Sequence, residues 1–275
     1  MDLKKLSYSK ASSELPLREV VQKTLHSGKR SKKVLEVPAL PPAYTKADGV
    51  LPVSLVFVIS GGEKKERNFL IELIRQKSFH SLRVAFLSKE GQGLQPYQMQ
   101  ATWQDIQKTG EFVINGQTYR LDETDKVFLL TDVDEFYDQL LKIKAAGGTG
   151  QWIISNPCFE MWLYYCYLND PENDLACLKL LTVDKRSRKL KGLGKTLVPG
   201  GLNPVLAFEK MPVGITNSKQ HFAMDENGVP LLFATQMHEM AECLVNTMNA
   251  NADEYSEYVK AKAEFREKMK KEVER

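Results

Sequence analysis

Residues 51–156 alternate between two kinds of hydrophobic block. Segments 51–60, 82–87, 127–131 and 151–155 are short, mostly apolar and rich in branched residues, the pattern of strands buried on both faces. Between them, apolar residues recur at helical spacing. Phe69, Leu70, Leu73 and Ile74 predict a helix over 63–77, and further helices are expected near 96–108 and 135–144. Segment 111–120 is a hairpin signal, because Asn115-Gly116 suits a type I′ turn between two short apolar runs. Strand and helix in alternation predict a mainly parallel sheet flanked by helices, with the hairpin as an insertion. Beyond residue 157 the pattern is mostly helical. Segment 159–168, with Trp162, Tyr164, Tyr165 and Tyr167, is apolar nearly all round and reads first as core, with a base-stacking platform as the lesser alternative. A helix is expected over 235–248 and a solvated, mixed-charge helix over 251–275. The resulting division is an arm at 1–50, an α/β core at 51–156, a helical part at 157–250 packed on it, and a terminal helix at 251–275.

Composition narrows this little. The chain has 275 residues, 43% hydrophobic and 27% charged, with a net charge of +3, which is too small to argue for a nucleic-acid partner by itself. Its distribution says more. Residues 1–49 hold ten Lys/Arg against five Asp/Glu, densest at Lys29, Arg30, Lys32 and Lys33. A short helix near 17–25 and an extended linker at 38–42 fit that arm. The basic cluster is consistent with phosphate contact and equally with a solvated arm. A second basic stretch carries Lys185, Arg186, Arg188, Lys189, Lys191 and Lys195 and reads as a flexible basic loop near phosphates, with Lys185, Arg186, Arg188 and Lys189 as candidate nucleic-acid contacts. Its Gly192-Leu-Gly-Lys-Thr196 lacks full phosphate-loop spacing and follows no strand, so it is not a nucleotide site. Cys158, Cys166, Cys177 and Cys243 show no metal spacing, and the four histidines are scattered. No membrane span or signal peptide is visible, so a reduced, cytoplasmic protein without a membrane partner is expected.

The chemistry gathers at predicted strand ends. Ligands of parallel sheets bind beyond the carboxyl ends of the strands, and Gly61-Gly62-Glu63, Asp132-Val-Asp134 and Ser155-Asn156 all fall there. If the strand stays extended, Asp132 and Asp134 point to the same side and could seat Mg²⁺. Taken alone, a helix N-cap accounts for the pair better; three polar clusters on one rim shift the balance.

Glu63-Lys-Lys-Glu66 with Phe69, Thr131-Asp-Val-Asp134, and Ser155-Asn-Pro-Cys-Phe-Glu160 with Trp162-Leu163 together resemble the RloB family over about residues 51–245. That family is similar to TOPRIM-fold proteins and is found with bacterial restriction and phage-defence genes. The resemblance implies a TOPRIM-like core and Mg²⁺- or Mn²⁺-dependent cleavage of RNA or DNA, with a partner ATPase encoded nearby. It implies that Asp132 and Asp134 hold the metal and that a glutamate after the first strand handles a proton or metal. The usual family pattern there is Glu-Gly-Glu-Lys, and this chain reads Gly61-Gly62-Glu63-Lys64. Glu63 is then the candidate for the vacant role, with Lys64, Asn156 and Glu160 as supporting or substrate-facing residues. Glu66, one turn on, points less obviously at the rim. The alternative is a non-catalytic module that binds nucleic acid or a partner protein, having lost its glutamate at Gly61.

Overall fold

A computed structural model of the chain describes residues 54–75, 79, 81–89, 93–114, 117–123, 125–134, 136–250 and 253–273. The basic cluster at Lys29, Arg30, Lys32 and Lys33, the helix near 17–25, the linker at 38–42 and the Asn115-Gly116 turn lie outside the described residues. Four strands, β1 (Ser54–Ser60), β2 (Leu82–Leu87), β5 (Lys126–Asp132) and β6 (Gln151–Ser155), form one sheet in the order β2-β1-β5-β6. Every pairing is parallel. The remaining strands, β3 (Glu111–Ile114) and β4 (Gln117–Arg120), pair antiparallel as the hairpin.

The two-residue period of the strands sorts the core into two faces. Val56, Val58, Val84, Phe128, Leu130 and Ile153 face the helical part and join one large cluster with it. Phe57, Ile59, Ala85 and Leu129 face the other way, onto helix α3 (Pro96–Thr109) and the hairpin. There the Phe112 ring meets Phe57 at a centroid distance of 4.4 Å, which fastens the inserted hairpin to the sheet. Helix α3 starts at a reciprocal capping box between Gln95 and Gln98 with Pro96 at its first position, and stops at Gly110 in the left-handed region.

The expected helix at 63–77 is two short helices, α1 (Lys65–Phe69) and α2 (Ile71–Ile74), with Leu70 outside helical geometry between them. Helix α4 (Tyr137–Ala145) leads to β6. In α5 (Glu160–Tyr165) all six residues are buried, so Trp162, Tyr164 and Tyr165 are core, and Tyr167 beyond it is half-buried with Lys210 over its ring. The Tyr165 hydroxyl donates to the Phe233 carbonyl at 2.7 Å, and the Tyr164 hydroxyl to Asp174 at 2.6 Å. Asp174 ends α6 (Pro171–Asp174), which a 3₁₀ turn at Ala176–Leu180 follows.

The basic stretch expected as a loop is a helix, α7 (Val183–Leu197). Ser187, Leu190 and Gly194 bury one side of it, and Gly194 lies where a Cβ would be 3.0 Å from the Leu202 side chain. That close approach, with Leu193 and Leu197 half-buried, outweighs the low propensity of two glycines. Helices α8 (Pro204–Phe208), α9 (Met211–Gln220) and α10 (Met237–Asn249) complete the helical part. The last helix, α11 (Glu254–Val273), is rooted by Tyr255 and Tyr258 against Phe208, with the Tyr255 hydroxyl donating to the Phe208 carbonyl at 2.6 Å. Only beyond that root is it solvated. Among the described residues no helix is long and apolar enough to cross a membrane, and all four cysteines are unpaired.

Candidate functional site

Connections leave the adjacent strands β1 and β5 in opposite directions, β1 toward β2 and β5 toward β6. The crevice where strand order reverses is therefore at the carboxyl ends of β1 and β5. Two segments enter it. Chain after β1 runs alongside β5, with the Gly61 N–H donating to the Leu130 carbonyl at 2.8 Å. The first residues past β5 are fastened to β6 through Val133 N–H to Ser155 O at 2.9 Å and Asp134 N–H to Pro157 O at 3.1 Å.

The backbone at Gly61 and Gly62 is closely approached by its neighbours. A Cβ on Gly61 would stand 3.1 Å from the Leu94 carbonyl oxygen and 3.4 Å from Thr131 Oγ1. A Cβ on Gly62 would fall on the carboxyl group of Glu66. Helix α1 thus folds the Glu66 side chain back over a backbone position that has no side chain of its own. Glu66 and Phe69 are the two buried residues of α1, so Glu66 is directed inward rather than to solvent.

Four acids share this pocket electrostatically. Burial first, then the fields of Glu66, Glu160 and Asp134, holds the Asp132 carboxyl well above the usual carboxylate range, with Lys191 opposing. Burial likewise lifts Glu66 to about 7; a backbone hydrogen bond works against this, Glu160 adds to it, and Lys191 and Lys65 reduce it. Glu160 is 2% exposed and pairs with Lys65 at 2.7 Å between Oε1 and Nζ. The Cys158 thiol is pushed up by burial and by Glu160 and Asp132. Burial alone would lower Lys191, but Glu160, Cys158, Asp132 and Asp134 together hold its ammonium above the ordinary value. The acids are thus offset by two lysines, from α1 and α7.

Of the residues singled out in the sequence, Asp132, Asp134 and Glu160 are brought together. The extended geometry stops at Asp132, and Asp134 has φ +25°. The N-cap of α4 is Phe136, with no side-chain cap bond, so neither aspartate plays that part. Glu63 is half-exposed in the turn, and Lys64 is exposed at the N-cap of α1. Asn156 is structural: its side-chain amide donates to Pro230 O at 2.7 Å, and its backbone exchanges bonds with Phe233 and Ala234. Arg186 spends its guanidinium on the Leu178 and Leu181 carbonyls. Lys185, Arg188 and Lys189 are exposed on α7. Sequence reasoning gave too little weight to Glu66 and did not single out Lys65, Lys191 or Cys158 for the site. For Glu66 the signal existed, since it falls on the apolar stripe of its helix.

Among the described residues no three acidic, histidine or cysteine groups converge as a cage for a metal ion. The donor chemistry nonetheless suits Mg²⁺ or Mn²⁺, which takes one or two protein carboxylates and completes its shell with water and phosphate. Lys65→Met should cost about 1–2 kcal/mol, less than for a fully buried pair because Lys65 is 39% exposed. Urea denaturation checks this, and Glu160→Gln in the same background should recover most of the loss. No recovery would mean that Lys65 matters through its packing.

A four-stranded parallel sheet with an acidic crevice at its switch point, flanked by helices and completed by a helical C-terminal part, defines an α/β protein. The chain belongs to the RloB-like protein family, whose model matches residues 56–244, from β1 to near the end of α10. No curated protein and no solved structure is detectably similar to it.

Proposed function

We propose that this protein is a divalent-metal-dependent phosphodiester hydrolase acting on nucleic acid, with a TOPRIM-like site, in bacterial phage defence. The observation that carries the reading is Asp132 at the carboxyl end of β5, at the switch point, its carboxyl buried and within the fields of Glu66, Glu160 and Asp134. Asp132 and Asp134 would hold Mg²⁺ or Mn²⁺ there, with Glu63 or Glu66 in reach. The ion would supply charge to the phosphate and acidify a bound water. Glu66 is the group we assign to take the attacking water's proton. Its carboxylate lies over Gly62, next to Gly61, where the resembled family pattern has its first glutamate. Glu160, held by Lys65, keeps the acidic wall in place. Unpaired cysteines agree with a cytoplasmic setting, and a partner ATPase fits the resemblance.

The test is cleavage of tRNA, single-stranded DNA and duplex DNA with Mg²⁺ or Mn²⁺ and with EDTA. Metal-dependent cleavage that Asp132→Asn abolishes supports the proposal. A second reading, a binding module without catalysis, is favoured by the two lysines that already offset the acids. An inert parent whose melting temperature does not respond to Mn²⁺ would decide for it.

A further inference from the structure

Helix α7 turns two different sides to its surroundings. Ser187, Leu190 and Gly194 are buried, while Lys185, Arg188, Lys189, Lys191 and Lys195 lie on the exposed side. Asp184, at the first turn, is the helix's single acid against six basic residues. Among the described residues none of Lys185, Arg188, Lys189 and Lys195 forms an ion pair, so their charge is not spent within the fold.

The surface there has a shape as well as a charge. Leu181, Lys185, Arg188, Lys189, Gly192 and Thr196 line an open groove. Helical spacing puts 185, 189, 192 and 196 on one stripe and 188, 191 and 195 on the next. A Cβ added at Gly192 would meet nothing within 4 Å, so a ligand can come close to the helix backbone there. From 185 to 196 the helix runs roughly 17 Å, room for about five nucleotides at the rise of a duplex strand. The helix reaches the crevice by packing against α5, which begins at Glu160, and Lys191 of the second stripe lies in the field of Glu160, Asp132 and Asp134.

We propose that the exposed side of α7 seats a nucleic acid backbone along this groove, and that Lys191 leads the strand from the groove to the carboxylate cluster. The inference rests on the nucleic-acid part of the proposed function and names the surface that delivers the substrate. A row of unpaired cations selects a polyanion. An open groove with no side chain at Gly192 suits a continuous backbone that is read by charge and not by base. Lys191 is a positioning residue: its cation offsets the repulsion that four acids exert on an arriving phosphate.

The test is fluorescence anisotropy of the full chain with labelled single-stranded RNA and DNA oligonucleotides in EDTA, over a salt series. The triple variant Lys185→Ala/Arg188→Ala/Lys189→Ala, checked for an unchanged melting temperature, should bind at least about tenfold more weakly at low salt. Its plot of log affinity against log salt should be less steep by roughly 2, at about 0.7 per lost phosphate contact. Lys191→Met should flatten the slope by about 0.7 and, if the parent cleaves, slow cleavage more than it weakens binding. An unchanged affinity and slope in the triple variant would overturn the proposal, as would binding to phosphatidylserine vesicles without binding to either oligonucleotide. A parent that binds through α7 but never cleaves removes the hydrolase and leaves this surface standing. A parent whose cleavage and binding survive the triple substitution removes this surface alone.

Discussion

Gly62→Ala should disarm the site and leave the fold intact. The methyl group would land on the Glu66 carboxyl, which is the far end of a flexible side chain, so the carboxyl moves and the backbone does not. Gly62 is not in the left-handed region, so alanine adds no strain there. Losing a positioned general base costs about 10²–10⁴-fold in rate. Cleavage by Gly62→Ala should therefore fall by at least about 10²-fold, matching Glu66→Gln, and the double variant should be no slower than either. Asp132→Asn should lose about 10³-fold or more, because it removes a ligand candidate as well as a charge. Rates and melting temperatures measured together separate the cases. A fast Gly62→Ala beside an inert Glu66→Gln means that the methyl group fits without moving the carboxyl. Two fast variants mean that Glu66 does no chemistry. An NMR titration gives a readout independent of turnover: in Gly62→Ala the Glu66 carboxyl should titrate below its value of about 7.

The sheet was legible because its strands are buried on both faces, which leaves uninterrupted apolar runs such as Val56–Ile59 and Phe128–Leu130. Their alternation with helical segments implied parallel pairing, and the crevice followed from topology. Asp132 and Asp134 were legible for the same reason, as the first carboxylates past such a run. The membership of the cluster was less so. Glu63 and Glu66 are three residues apart, and only the short helix starting at Lys65 decides which of them turns inward. Lys191 comes from a helix nearly sixty residues beyond β5, a separation no local pattern can bridge. Helix α7 itself was hidden because its apolar positions are few, its glycines argue against helix, and what stabilises it is Leu202 packed on Gly194. Tertiary contact overrode propensity there.

In metal-free buffer Glu66→Gln should make the protein more stable at pH 8 and change little near pH 4.5. Burial raises the folded-state pKa of Glu66 from 4.5 to about 7. The folded state therefore binds more protons than the unfolded state between those values, and stability falls as pH rises through that window. Below about pH 4.5 both states are protonated and the difference vanishes. A shift of this size corresponds to about 3 kcal/mol at pH 8, and the net effect is smaller because Glu160 and Asp132 exchange protons with Glu66. Glutamine keeps the shape and removes the charge, so it should recover about 2 kcal/mol at pH 8 and flatten the slope between pH 5 and 7.5. Urea denaturation at pH 5, 6.5 and 8 with EDTA measures it. Equal loss of stability at all three values would mean that Glu66 is held as a carboxylate by its lysines. A bound cation would offset both the buried charge of Glu66 and the field of Glu160, so Mn²⁺ at pH 8 should stabilise the parent more than Glu66→Gln. A larger Mn²⁺ response in the variant would take Glu66 out of the metal's surroundings altogether.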